Sequence, residues 1–306
     1  ELWYEHILWD DRLRIRFGKQ DANALFAVTP GAANFITSAA DYPGPLVGYL
    51  PTYPEQAVGL AIEVEPIDRV IGRFGWFDGT TNYFDVERGT RWPNTGTRGP
   101  KSFFNNPGSW FFITEAEVGW RLYDDLLPGM IQAGAWWQTG TVGFLPPSVS
   151  SSKSGGEGLD EGDALWSPYL TRGSDGFYLG AAQTVLNLSQ DLDASQGVAL
   201  FSQLGFGRPS SNAVTFSVVS GVVATGLVPG RRADSIGVQV NYAQFTGDGR
   251  ITATPSSFQL GLEAYYRIQI TDSIAIQPDV QWIRRPDGDA SIRDALLATI
   301  RVQVTF

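Results

Sequence analysis

Charged side chains at every second position are the residues of this sequence that are best placed to do chemistry. Arg12, Arg14 and Arg16 alternate with apolar residues in one segment, and Glu115 and Glu117 are two positions apart in another. In an extended strand, such residues point to one face and lie about 6.6 Å from each other. Guanidinium and carboxylate groups in this arrangement can bind the hydroxyl groups of a polar solute through charge-assisted hydrogen bonds.

The same alternation places further candidates on the polar face of other segments. They are Glu5, Arg121, Glu263, Arg267 and Arg301, together with the aromatic residues Trp3 and Trp136. Aromatic rings offer flat surfaces against which the C–H groups of a solute can pack. Two hypotheses stay open for all these residues. They either bind a solute or form a solvated salt-bridge network that only stiffens the wall on which they lie.

An enzymatic reaction is not expected from these residues. His6 is the only histidine, and the alternation places it on the apolar face, which disfavours a Ser-His-Asp site. Glu115 and Glu117 have roughly the carboxylate spacing of inverting glycosidases, but paired acids on a channel wall are more often selectivity groups. Because Asp287-Gly288-Asp289 is typical of a turn, we also expect no metal and no cofactor.

Period-two hydrophobicity identifies the elements that must position the charged residues. From Leu296 to Phe306, apolar residues alternate with Thr299, Arg301 and Gln303, and the same pattern runs through residues 258–270. This period is typical of β-strands, and both segments are long enough to cross a membrane. The pattern predicts thirteen strands, at residues 1–9, 11–18, 57–65, 69–77, 111–123, 129–138, 176–188, 197–206, 212–224, 234–246, 257–271, 273–283 and 296–306.

The connections between these strands alternate in length. Long loops are predicted at residues 19–56, 78–110 and 138–175, and short turns fall between them. Short turns on one side and long loops on the other are typical of outer-membrane barrels. We therefore expect an all-β fold, a transmembrane antiparallel β-barrel in which residues 1–306 form a single domain. A soluble β-sandwich is the alternative.

An odd number of strands has a consequence for the two ends of the chain. If the last strand ends on the turn side, thirteen strands place Glu1 on the loop side. Because bacterial barrels have even strand numbers, we expect the domain to lack an odd number of N-terminal strands.

Composition excludes two other classes of protein. No run of 18 or more apolar residues of helical character occurs, and the mean hydropathy is −0.10, so membrane-spanning helices are not expected. The net charge of −10 leaves no basic face for nucleic acid. The chain has no cysteine, which excludes disulfides and thiolate metal sites.

The loop at residues 19–56 is the candidate for a constriction. Five prolines restrict its backbone, and its aromatic side chains supply surface to bury. An exposed loop would not need so many aromatic residues. We expect this loop to fold into the lumen of the barrel and to constrict it. The aromatic residues expected to form the constriction are Phe26, Phe35, Tyr42, Tyr49 and Tyr53.

Several motifs, in this order and at this spacing, are similar to those of the OprB-like carbohydrate-selective porins. They are Glu1-Leu2-Trp3-Tyr4-Glu5-His6, the segment from Arg12 to Lys19, Tyr53-Pro54, the segment from Thr225 to Arg231 and the segment from Gln277 to Gln281. The similarity covers nearly the whole chain, and residues 78–175 match only loosely. It implies a sixteen-stranded, trimeric channel for sugars in outer-membrane lipid, with about thirteen of its strands in this sequence.

The resemblance gives the charged and aromatic candidates a role in passive diffusion of mono- or small oligosaccharides. Carboxylates and guanidiniums can bind sugar hydroxyls, and rings can pack on the C–H faces. Two alternatives stay open. The first is a general porin without substrate preference, and the second is the barrel base of an envelope-anchoring structural protein.

Overall fold

The computed structural model describes residues 1–80, 84–85, 90–91, 98–106, 108–123, 126–144, 169–188 and 196–305. Thirteen of its strands form one antiparallel sheet, in which each strand pairs with the next one in the sequence. The all-β prediction with about thirteen strands is therefore confirmed. Within the described residues, the first and last strands are the two edges of the sheet and do not pair with each other.

The strands of the sheet are β1 Leu2–Leu8, β2 Leu13–Gln20, β3 Ala57–Ile67, β4 Val70–Asp78, β5 Trp110–Leu122, β6 Leu127–Phe144, β7 Tyr169–Asn187, β8 Gly197–Gly207, β9 Val214–Thr225, β10 Ser235–Phe245, β11 Phe258–Thr271, β12 Ile274–Arg284 and β13 Ala295–Val304. The helical elements of the described residues are one short α-helix, α1 Pro100–Phe104, and 3₁₀ turns at Ala22–Ala24, Ser38–Ala40, Gly44–Leu46 and Pro286–Gly288. A separate two-stranded ribbon joins Phe84–Asp85 and Thr90–Arg91.

Some predicted boundaries differ from those observed. The strand predicted at 11–18 begins at Leu13, because Trp9, Asp10 and Asp11 have positive φ angles, which a strand does not accommodate. Arg12 therefore lies in a turn. The loop predicted at 138–175 is shorter, because β6 continues to Phe144 and β7 begins at Tyr169. The predicted terminal aromatic residue, Phe306, lies outside the described residues.

Burial alternates along the strands and distinguishes two faces of the sheet. In β5, Phe111, Ile113 and Glu115 are buried, whereas Ala116 and Val118 are exposed. We call the face of Glu115 the inner face and the face of Val118 the outer face. No helix in the described part of the chain is long and apolar enough to span a membrane.

A band of aromatic rings crosses the outer face near the ends of the strands that lead into long loops. Such girdles mark the boundary between lipid and water on transmembrane barrels. Neighbouring rings lie 4.8–6.3 Å apart in these outer-face pairs: Phe112 and Trp137, Phe177 and Phe206, Phe206 and Phe216, Phe216 and Tyr242, and Tyr242 and Phe258.

Residues 21–56, which we call the crossing segment, pack against the inner face. Their hydrogen bonds to the sheet reach β5, β6, β8, β9, β11, β12 and β13. One compact segment can contact all these strands only if the sheet curves around it. Phe26, Leu46 and Tyr49 are buried between the segment and the wall.

Two glycines let tyrosine rings lie flat across the inner wall. A Cβ at position 134 would overlap the Tyr178 ring, and a Cβ at position 237 would overlap the Tyr265 ring. Because glycine has no side chain, both tyrosine rings can lie against the backbone of the wall, beneath the crossing segment.

We expect Gly134→Ala to destabilise the protein by about 1–3 kcal/mol, because the added methyl group overpacks a filled site and displaces Tyr178. Urea unfolding in detergent micelles measures this change. Gly72→Ala is the control, since the nearest atom to its added Cβ would be 3.6 Å away, at ordinary contact distance. Equal losses of stability in both variants would contradict the prediction.

Candidate functional site

Glu115 on β5 binds the first part of the crossing segment. The Ala27 N–H donates to Glu115 Oε2 at 2.8 Å, and the Tyr178 hydroxyl donates to the same oxygen at 2.6 Å. Arg73 Nη1 donates to Glu115 Oε1 at 2.5 Å. The carboxylate is 3% exposed. Three donors thus stabilise a buried charge and attach the segment to the wall.

Buried glutamines continue this attachment. Gln132 Nε2 donates to the Val28 carbonyl at 2.7 Å, and Gln203 Nε2 donates to the Ala27 carbonyl at 3.1 Å. The Thr29 hydroxyl donates to Gln203 Oε1 at 2.5 Å. Two of these three hydrogen bonds go to backbone carbonyls of the crossing segment. The wall therefore fixes mainly the backbone of the segment.

The carbonyl of Asn34 is a second attachment point. It accepts from Gln277 Nε2 at 2.8 Å and from Arg301 Nη2 at 2.9 Å. Arg301 Nη2 also donates to Gln277 Oε1 at 2.7 Å. Arg301, a predicted site residue, therefore lies on the inner face and contacts the crossing segment.

Glu263 on β11 binds the segment two residues further on. Its Oε1 accepts from the Ile36 N–H at 2.5 Å, and its Oε2 accepts from the Thr37 N–H at 3.3 Å. Gln239 Nε2 donates to Oε2 at 2.7 Å. Glu115 and Glu263 thus act in the same way, because each carboxylate accepts from backbone N–H groups of the crossing segment.

The predicted aromatic residues of the loop occupy different positions. Phe26 and Phe35 are buried against the wall, where Phe26 packs edge-on against Phe77 at 6.3 Å and Phe35 against Tyr265 at 4.9 Å. These two rings hold the segment in place, and their packing against the wall keeps them out of open space.

Tyr42 and Tyr53 lie nearer to solvent. Tyr42 is half-buried, and its pKa is raised by burial and by the charges of Asp41 and Asp21. Tyr53 is 78% exposed, and its backbone N–H donates to Asp21 at 3.3 Å. Tyr53 is thus part of the outer end of the segment.

Tyr49 holds the last part of the segment against the wall. Its ring stacks on Trp136 at 5.0 Å, and its hydroxyl donates to the Ser211 carbonyl. Trp136 faces inward as predicted from the alternation, but it is 3% exposed because Tyr49 covers it. A solute can reach the Trp136 ring only when the crossing segment moves.

We expect the Tyr49 contact to persist up to strongly alkaline pH, because burial raises the pKa of Tyr49 to about 12. The raised pKa means that its contribution is full below the ordinary value of about 10 and is lost as pH rises through 12. Channel conductance between pH 9 and 12.5 measures the release of the segment. Tyr49→Phe should show no such transition, and an identical transition in this variant would contradict the assignment.

A small cleft, with room for about one water molecule, lies between Leu25 of the crossing segment and the inner face of β1 to β3. The hydrogen bonds that join the segment to the sheet go to β5 and to later strands. Its contacts with β3 and β4 are apolar, since Ala22, Phe26 and Leu50 share one buried cluster with Ala57, Ala61 and Phe77. The lining residues of the cleft are Glu5, Arg14, Arg16, Leu25, Ala61 and Glu63.

Within the cleft, charges of both signs lie beside an aromatic ring. Arg16 Nη2 donates to Glu5 Oε1 at 3.0 Å, and the Arg16 guanidinium lies 4.1 Å from the centroid of the Trp3 ring. Arg14 is exposed. The predicted residues Trp3, Glu5, Arg14 and Arg16 are thus brought together, and they offer hydrogen-bonding groups and a flat apolar surface.

Arg73 and Glu63 belong to the same wall and were not among the residues predicted from the sequence. Arg73 Nε donates to Glu63 at 2.7 Å, and Arg73 Nη1 donates to Glu117 at 2.8 Å as well as to Glu115. These residues face each other across adjacent strands, since Arg73 pairs in register with Glu63 on β3 and Glu115 on β5. Opposite charges at facing positions were the available signal.

The remaining predicted residues lie away from the cleft. Arg12 forms an exposed ion pair with Asp68 at 2.9 Å, between two neighbouring turns. Arg121 is exposed near the end of β5, and Arg267 donates to Gln269 on its own strand. In the described ranges, no group of three or more Asp, Glu or His side chains converges to hold a metal ion.

Known proteins are similar to this chain in sequence and in fold. The chain is 23% identical over 328 residues to Porin B of Pseudomonas aeruginosa, and the match covers 100% of this chain and 67% of that protein. The fold is similar to the high-pH structure of Pseudomonas putida OprB, with a TM-score of 0.75 and 19% identity over 100% of this chain and 72% of that one. The low-pH structure of the same protein gives a TM-score of 0.56 at 16% identity.

Residues 1–306 match the sequence profile described as carbohydrate-selective porin, OprB family. The predicted resemblance is therefore confirmed, and family and fold indicate a channel in preference to an enzyme. The chain belongs to the OprB family and is a carbohydrate-selective β-barrel channel of the bacterial outer membrane.

Proposed function

We propose that mono- or small oligosaccharides diffuse passively through the cleft between the crossing segment and the inner face of β1 to β3. The observation that supports this path is the asymmetric attachment of the segment. It is hydrogen-bonded to the wall from β5 onward, while a small cleft separates it from the face with Glu5, Arg14 and Arg16. Passage of a sugar therefore requires the segment to move away from β3. The crossing segment is then the constriction, as its predicted inward folding implies.

The chemistry of the cleft suits a neutral sugar. A sugar ring has hydroxyls around its edge, which accept from Arg14 and Arg16 and donate to Glu5 and Glu63. The Trp3 ring and Leu25 supply apolar contact for its C–H faces. Glu5 and Arg16 form an ion pair at 3.0 Å, so the positive charge of one neutralises the negative charge of the other. Both signs within one cleft favour binding of hydroxyls over binding of ions.

Residues of the inner wall outside the cleft have a second role in this proposal. Glu115, Glu263 and Arg301 hold the segment, and Glu117 holds Arg73 in position beside Glu115. Arg121 and Arg267 line the inner face near the short turns, where a solute leaves the cleft. Trp136 supports Tyr49.

We further propose that residues 1–306 are one domain of a sixteen-stranded barrel that is embedded in outer-membrane lipid and assembles as a homotrimer. The free edges of β1 and β13 support closure by further strands, because unpaired strand edges are not stable in lipid.

Removal of Arg14 tests the path. We expect Arg14→Ala to reduce sugar uptake into proteoliposomes by about 10- to 150-fold at low sugar concentration, since one hydrogen bond from a charged group contributes about 1.5–3 kcal/mol. Swelling rates measure uptake. Arg12→Ala is the matched control, because it removes the same charge from the neighbouring turn.

Equal uptake by the wild type and both variants would show that the cleft does not bind the solute. In that case the protein is a general porin without substrate preference, in which the charged residues act only as a sieve.

A further inference from the structure

Residues 98–106, which we call the capping segment, fold onto the outer face of the wall. Phe103, in α1, is 7% exposed and packs against three outer-face rings: Phe17 at 6.2 Å, Trp76 at 5.3 Å and Trp110 at 5.3 Å. Trp76 lies on β4 between Gly75 and Phe77, and Phe77 packs against Phe26 on the inner face. The capping segment and the crossing segment therefore lie on opposite sides of the same strand.

A buried carboxylate on the outer face fixes the capping segment. Asp78 Oδ2 accepts from the Ser102 hydroxyl at 2.6 Å, and Asp78 Oδ1 accepts from Asn106 Nδ2 at 3.0 Å. The backbone and hydroxyl of Thr80 donate to Oδ1 at 3.0 and 2.5 Å. Asp78 is 0% exposed. Four donors around one carboxylate make this a defined attachment.

A second attachment joins the start of the capping segment to the beginning of β3 and to the backbone just after β4. The Val58 N–H donates to the Arg98 carbonyl at 2.9 Å, and Arg98 Nε donates to the Thr80 carbonyl at 2.7 Å. Burial lowers the pKa of Arg98, while the charges of Glu55 and Asp78 raise it. The capping segment is thus held at both ends and in the middle.

This fixed segment directs one aromatic ring and one cation outward. Phe104 is 76% exposed, although it follows the buried Phe103. Lys101 is exposed and precedes Phe104 by three residues, so both lie on one side of α1. Phe17, Trp76 and Trp110 belong to the end of the wall that carries the aromatic girdle. Phe104 therefore extends the lipid-contacting band outward from the barrel.

We propose that the capping segment is a lipid-binding patch, in which the Phe104 ring enters the boundary between acyl chains and headgroups and Lys101 binds a lipid phosphate. Aromatic rings prefer this boundary, and lysines reach from it to anionic headgroups. The channel lies in the outer membrane, so lipid surrounds the part of the outer face that no other copy covers. The Lys101 charge complements a lipid phosphate.

The absence of cysteine from the chain permits a direct test with single-cysteine reporters. Asn105→Cys, labelled with a fluorophore, reports the position of α1 and keeps the side chains of Phe104 and Lys101. It removes the Asn105 side-chain hydrogen bond to the Lys101 carbonyl at 2.8 Å but keeps the bond from the Asn105 backbone N–H at 3.2 Å. Val118→Cys on the outer face is the reference in lipid, and Ala253→Cys in an exposed loop is the reference in water. The proteins are reconstituted in phosphatidylcholine vesicles with one third phosphatidylglycerol, and nitroxide-labelled lipids of each headgroup quench the reporter.

We expect strong quenching at Cys-labelled position 105, close to that at 118, and about fivefold stronger quenching by the anionic lipid, since one lysine contributes on that order at a charged surface. Phe104→Ser should lower quenching by both lipids, and Lys101→Gln should remove only the preference for the anionic one. Sugar uptake by both variants should stay within about twofold of the wild type. This result would show that the barrel is folded.

Three results would overturn the proposal. The first is a reporter at 105 that behaves like the one at 253. The second is quenching that Phe104→Ser leaves unchanged. The third is disulfide-linked dimers of unlabelled Asn105→Cys in place of lipid contact, which would assign the patch to a second copy of the chain.

Discussion

Glu115→Ala is expected to release the start of the crossing segment and to abolish most sugar preference. The substitution removes the acceptor of the Ala27 N–H and of the Tyr178 hydroxyl. One hydrogen bond to a charged group contributes about 1.5–3 kcal/mol, which corresponds to a roughly 10- to 150-fold larger population of displaced segment. Single-channel recordings should show larger and noisier conductance, and the sugar concentration for half-maximal block should rise by about tenfold or more.

Glu117→Ala is the matched control for this prediction. Glu117 also accepts from Arg73 Nη1, at 2.8 Å, and its hydrogen bond in the described structure goes to the wall and not to the crossing segment. We expect its conductance and sugar block to stay within about twofold of the wild type, because the hydrogen bonds that hold the segment remain. If both variants change equally, the effect comes from the charge of the wall and the anchoring role of Glu115 is wrong.

Deletion of residues 31–49 is expected to produce the largest rise in conductance. It removes Phe35 and Tyr49, together with the donors that Ile36 and Thr37 supply to Glu263. Because conductance depends on the free cross-section of the lumen, we expect an increase of at least about twofold and the loss of saturable sugar block. Planar-bilayer recordings measure both quantities.

A deletion of residues 249–254 serves as the control for shortening a loop. These residues connect β10 and β11 and make no hydrogen bond to the crossing segment within the described residues. Its conductance should equal that of the wild type. Unchanged conductance after deletion of 31–49 would mean that the crossing segment does not constrict the path.

The sequence alone was sufficient to assign the faces of most strands. Period-two alternation assigns Glu115, Glu263 and Arg301 to the face opposite Val118 and Ile300, and the structure has the same faces because a strand offers only two. Arg12 was placed in a strand because its neighbours alternate. The positive φ angles at residues 9–11 extend the turn, and alternation does not report φ.

The attachment of the crossing segment could not be predicted in the same way. Ala27 and Glu115 are 88 positions apart, and their contact uses a backbone N–H that every residue except proline has. Gln132 and Gln203 carry no charge and follow no motif, so their types gave no signal. The capping segment lies in a loop that matched the family only loosely, although Gly99-Pro100 is a typical start of a helix.

Sugar titration of the wild-type channel in a planar bilayer is the most direct test of selective diffusion through the cleft. We predict that mono- or disaccharide reduces the ion conductance along a saturating curve, because a sugar bound between Trp3, Arg14 and Glu63 blocks the proposed path. A linear response without saturation, unchanged by Arg14→Ala, would contradict the account.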